Sequence, residues 1–149
     1  MRAAESPRRA QGNNMPWPHI TAGYLAVLAL IYTALAVNVV RLRNSHRAAF
    51  GDADDPALRS AIRAHAHFAE YVPVITLMVA MLEMSGIAAS RVHLLMGALL
   101  VSRLAHPAGI YARPMSVPFR IFRIGGMWLT MIVLVACALM ILLRLWRGA

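Results

Sequence analysis

Four long apolar runs alternate with short polar stretches that carry most of the arginines, and this pattern predicts four membrane-spanning helices. The first run, Ile20 to Val40, is 21 residues without a formal charge. At about 1.5 Å per residue it spans roughly 30 Å, the thickness of a bilayer core. Ala34-Leu35-Ala36 resembles a signal-peptidase site. The run nevertheless outlasts a signal core of roughly 7–15 residues and continues into Val39-Val40-Arg41-Leu42-Arg43, so a retained helix over about 18–43 is expected.

The second helix is expected over about 56–84. Gly51-Asp52-Ala53-Asp54-Asp55-Pro56 is turn chemistry, and Asp55-Pro56 suits a helix start, with Asp as cap and Pro in the first turn. Pro73, inside this helix, should kink it and free a backbone carbonyl. A turn at Glu83–Ser90 leads to a third helix over about 91–111. Pro114 and Pro118 break the chain again before a fourth helix over about 120–146. Gly125-Gly126 near its start would let a neighbouring helix approach closely. Residues 1–16 are read as a disordered tail, with Met15 an alternative start, and 17–147 as one all-α membrane domain.

Composition agrees with this plan. The chain is 60% hydrophobic and 14% charged, too apolar for an ordinary soluble domain of 149 residues. Its net charge of +9 would suit nucleic acid, but the arginines lie between apolar runs, which is the layout of membrane orientation. The first and third loops and their flanks hold Arg41, Arg43, Arg47, Arg59, Arg63, Arg113, Arg120 and Arg123. The opposite side holds Arg91, Arg144 and Arg147, with Arg2, Arg8 and Arg9 in the tail. The bias places the first and third loops in the cytoplasm and both termini in the periplasm. Cys137, the single cysteine, excludes an intrachain disulfide and sits mid-span, where a thiol is protonated and inert.

The chemistry concentrates in Arg63-Ala-His-Ala-His-Phe-Ala-Glu-Tyr-Val-Pro73. At about 100° per residue, Arg63, His67, Glu70 and Tyr71 fall within an arc of about 100°, while His65 points nearly the opposite way. Charges facing lipid are costly, so the arc should turn inward or line a watery cavity. Arg103, His106, Arg120 and Arg123 gather at the same end of the bundle. Arginine forks beside a carboxylate suit a small anionic or zwitterionic ligand, and an internal Arg–Glu bridge is the plainer alternative. His65 and His67, two apart on a helix, cannot chelate one ion, and no metal site is expected. Met78, Met81 and Met84 suit either ordinary packing or an adaptable surface for lipophilic substrates. No Walker motif, dinucleotide fingerprint or nucleophile–base–acid set is present.

These residues resemble the MAPEG family, the membrane-associated proteins in eicosanoid and glutathione metabolism, and most closely its bacterial, YecN-like branch. The resemblance runs from about Ile20 to Trp146. It rests on Val39-Val40-Arg41-Leu42-Arg43, Phe50-Gly51-Asp52, the stretch Arg63–Pro73, Arg103-Leu-Ala-His106-Pro-Ala-Gly109 and Arg123-Ile-Gly-Gly126-Met-Trp-Leu-Thr130. It implies a homotrimer of four-helix subunits binding glutathione between neighbours near the cytoplasmic end. Arg63, His67, Glu70 and Tyr71 would then hold glutathione, Arg103 would match the third-helix arginine and His106 would contact ligand. Arg123, or alternatively Arg120, would stabilise the thiolate. Two departures stand out: His67 replaces the asparagine of the family pattern, and His106 and Ile110 stand where several eukaryotic enzymes have tyrosines.

The resemblance implies a glutathione transferase or peroxidase of the bacterial inner membrane acting on lipophilic electrophiles. A non-catalytic MAPEG-like protein binding a small anion or thiol is the alternative. A four-span exporter of lipophilic cations is a third reading, opposed by the arginines around Glu70.

Overall fold

A computed structural model describes residues 17–110, 116, 117 and 119–148. The predicted tail lies outside these residues, as does most of the loop before the last helix. The described residues are helical throughout their ordered elements: α1 (His19–Ser45), α2 (Pro56–Met84), α3 (Ala89–Ile110), a π-helical segment (Phe119–Gly125) and α4 (Gly126–Trp146). Three helical stretches, His19–Ser45, Pro56–Met84 and Ile121–Trp146, are long and apolar enough to cross a membrane. Ala89–Ile110, which carries Arg91, His93, Arg103 and His106, is not among them.

Helices α2 and α3 form the centre. Each packs against the other and against both α1 and α4, whereas α1 and α4 do not meet among the described residues. The buried face of α2 follows Phe68, Val72, Ile75, Val79 and Leu82, steps of four and three that keep one stripe facing inward. On α3 the buried stripe is apolar through Val92, Leu95, Met96 and Leu99 and then turns polar at Ser102, Arg103 and His106. The buried residues of α4 repeat this change in reverse, from Gly126 and Thr130 to Val133 and Cys137. One core therefore has an apolar part and a polar end. Outside it, Leu30, Val37, Leu77, Leu94, Ile132 and Leu142 are exposed, as expected of surfaces that meet lipid.

Helix ends explain much of the bundle's order. Asp55 caps α2, its side chain accepting from Leu58 N at 2.6 Å, with Pro56 in the first turn. Helix α1 has Pro18 at its cap and no local side-chain acceptor. Glu83, from the last turn of α2, supplies it: Ile20 N donates to Oε1 at 2.9 Å, and Thr21 N and Oγ1 donate to Oε2 at 2.8 and 2.6 Å. A carboxylate also suits the positive end of the helix dipole. Arg144, near the end of α4, donates to Ser85 O beyond the last turn of α2. Helix α2 continues through Pro73, where Thr76 Oγ1 donates to Val72 O at 2.7 Å.

A polar junction at one end of the bundle

Arg103 is the centre of the candidate site. It is 3% exposed, and no carboxylate lies within salt-bridge distance of it among the described residues. Its Nη1 donates to His67 O at 3.0 Å, Nη2 donates to Thr130 Oγ1, and Nε lies 3.4 Å from Ser102 Oγ. The guanidinium carbon is 5.9 Å from the centre of the Tyr71 ring, within range of a cation–π contact. Thr130 in turn donates to Gly126 O at 2.8 Å, and Ser102 donates to Leu99 O at 2.7 Å. A buried cation is thus held by neutral dipoles from α2, α3 and α4, an arrangement that leaves its net charge in place.

Histidines flank it. His67 and His106 meet edge to face with ring centres 5.2 Å apart, and His67 Nδ1 lies 3.5 Å from Glu70 Oε2. His106 Nδ1 is 3.3 Å from Arg123 O. A carbonyl only accepts, so this contact requires the proton on Nδ1 and, in the neutral ring, leaves Nε2 with a lone pair. Among the described residues, His106 Nε2 is the one buried side-chain nitrogen or oxygen with no hydrogen-bond partner. Close approach of the π-helical segment and the start of α4 to α3 allows this contact. A Cβ on Gly126 would meet Ser102 O at 3.2 Å and His106 N and Cβ at 3.4 Å.

The predicted site residues therefore divide. His67, Glu70, Tyr71, Arg103 and His106 gather in one junction, joined by the Arg123 backbone. Arg63 opens instead onto a surface depression of about 390 Å³ shared with Arg43, Gly51, Asp52, Arg59 and Ile62. Arg123 borders a groove of about 320 Å³ lined by Ile124, Met127, Trp128 and Met131. The Arg120 side chain lies outside the described residues. His65 stacks on Tyr32 of α1 with ring centres 4.6 Å apart, away from the junction. Among the described residues, no group of three or more His, Cys, Asp or Glu could hold a metal ion.

Sequence reasoning missed Ser102 and Thr130. Their signal was available: each is a hydroxyl in an apolar run, at register with Leu99 and Val133 on the buried stripe.

Comparison with known proteins gives this junction a family. The chain matches the MAPEG family over residues 21–143. It is 36% identical to inner membrane protein YecN of Escherichia coli K12 over 127 residues, covering 85% of this chain and 91% of that protein. The same protein from Escherichia coli O6:H1 strain CFT073 matches to the same extent. No solved structure matches the chain significantly. With the match covering nearly all of the three apolar helices and the whole polar junction, the chain is a membrane protein belonging to the MAPEG family.

Proposed function

We propose that this protein binds glutathione at the polar junction and joins it through its sulfur to lipophilic electrophiles of the inner membrane, or uses it to reduce them. One observation carries the reading: a buried Arg103, with no carboxylate partner among the described residues, sits beside a buried His106 Nε2 that has no hydrogen-bond partner among them. Glutathione brings the complementary groups, two carboxylates for guanidinium, an ammonium for Glu70, and donors for an imidazole lone pair. Arg63 lies two helical turns from Glu70, about 10 Å along the axis, which suits the far carboxylate of an extended tripeptide.

Of the two thiolate-stabilising candidates we take Arg123, which borders an apolar groove where a lipophilic second substrate would lie. A guanidinium lowers the pKa of a thiol and so raises the thiolate fraction. In conjugation, the thiolate sulfur forms a bond to an electrophilic carbon as the leaving group departs with its electron pair. In peroxide reduction, the sulfur attacks oxygen, the O–O bond breaks and an alcohol leaves. A second glutathione then converts the sulfenic form to the disulfide and water. The full reading is a homotrimer of four-span subunits, with the first and third loops cytoplasmic and glutathione held between neighbours.

Titration of detergent-purified protein with glutathione and S-hexylglutathione, read by thermal shift, tests the ligand. Wild type should be stabilised by both, and Arg103→Met should lose roughly tenfold or more in affinity, the worth of one charge-assisted hydrogen bond. Conjugation of a generic electrophile and turnover of several hydroperoxides test the chemistry. No glutathione affinity together with no turnover overturns the proposal. A second reading, a binding protein without catalysis, draws on one observation: protein groups already occupy the Arg103 donors. It predicts ligand stabilisation with no turnover.

A further inference from the structure

The depression beside Arg63 is a second polar feature, separate from the junction, and it has its own construction. Arg43, near the end of α1, is fixed by donation from Nη1 to Ala49 O at 3.0 Å. Arg59, in the first turns of α2, is fixed by Asp52, with Nε donating to Oδ2 at 2.5 Å, and Asp54 lies a further 3.8 Å from its Nη2. Two guanidinium groups from different helices are thus held in place around one hollow, with Arg63 at its edge. Of the lining residues only Asp52 is acidic, and with Asp54 pairing to Arg59 from outside the lining, three cations meet two anions and leave a net positive charge. The loop that closes the hollow carries Phe50, 91% exposed and adjacent to the lining Gly51. Arginines next to an unburied aromatic, at the ends of two apolar helices, form a surface that meets lipid headgroups and the upper acyl region together.

We propose that this hollow binds the phosphate group of an anionic ligand, with a phospholipid headgroup the source that Phe50 and the apolar helices favour. Fork-shaped donors match phosphate oxygens, and pre-positioned side chains lose less freedom on binding than mobile ones. The site goes beyond the glutathione reading. The glutathione reading also draws on Arg63, so the assignment rests on Arg43 and Arg59, which that reading does not use.

The test titrates the detergent-purified full chain with dioctanoyl phosphatidylglycerol, dioctanoyl phosphatidylcholine and inorganic phosphate, following the thermal midpoint. Phosphatidylglycerol should stabilise wild type more than phosphatidylcholine does. Arg43→Gln and Arg59→Gln should each bind it about tenfold more weakly. Arg91→Gln, an exposed arginine at the other end of the bundle, should bind as wild type does. Each variant's midpoint without ligand reports its fold, and either of the first two suffices if the other is unstable. Phosphate acting as strongly as phosphatidylglycerol supports the site and assigns it to a soluble ligand. Equal stabilisation of wild type, Arg43→Gln and Arg59→Gln overturns the site. Glutathione titrated into the same variants should be unaffected, so the two proposals fail separately.

Discussion

Glu83 shows how far one side chain can act from its place in the sequence. It ends α2, yet it satisfies the first two free amides of α1 and the Thr21 hydroxyl. Glu83→Ala strands those donors and should cost about 1–2 kcal/mol, the range for losing a helix cap. Glu83→Gln should restore little, because its amide would turn an NH₂ group toward N–H donors in place of one oxygen. Thermal unfolding in detergent of the two variants, with Thr21→Val beside them, checks this. The role was hidden in the sequence because a cap from 62 residues away leaves no local pattern, and Glu83 reads there as part of a turn. Asp55 was legible, since its cap and Pro56 are neighbours in the chain. The arc from His67 to Tyr71 was also legible from helical periodicity. The separation of Arg63 from it depends on where α1 and its loop pass.

At the scale of elements, the junction of α3 and α4 rests on Gly126. An added Cβ there presses on the backbone of α3, which cannot yield without moving the whole helix. Gly126→Ala should therefore destabilise by about 1–3 kcal/mol, while Gly125→Ala, with nothing within 4 Å, should be neutral or mildly stabilising. Paired unfolding curves decide it, and equal effects would disprove the close approach. The glycine pair was readable as a contact point, but the π-helical turns of Phe119–Gly125 just before it were not. Seven residues carry too little periodicity to distinguish a wider helix from an ordinary one. The loop between α1 and α2 offers a different handle. The Arg59 hydrogen bond holds the Asp52 carboxyl below its ordinary value of 3.8. A carboxyl lowered in the folded state contributes stability that is complete above the ordinary value and is lost as pH falls through the folded one. Hydrogen-exchange protection in residues 46–55, taken relative to the intrinsic exchange rate at each pH, should fall below about pH 4 in wild type and be low, with less change at this step, in Asp52→Asn.

For the whole molecule, orientation is the consequential question, because it decides which aqueous compartment reaches the polar junction. The orientation proposed from the arginine count has the α1–α2 loop in the cytoplasm and the α2–α3 turn in the periplasm. The fold supplies good reporters for both. Ala49 and Ala88 are exposed, lie on these two connections and take part in no side-chain contact that cysteine would remove. Cys137 is fully buried, so the native thiol adds little background. In intact spheroplasts a membrane-impermeant maleimide should label Ala88→Cys, whereas Ala49→Cys should react only after the membrane is opened. The reverse pattern would place the junction at the periplasmic face. Glutathione is kept reduced chiefly in the cytosol, so that result would also weigh against the conjugation chemistry. Labelling of both positions in intact cells would break the alternation of sides that an odd number of crossings by α2 requires. One labelling experiment therefore tests the span of α2, the direction of the bundle and the compartment that supplies its ligand.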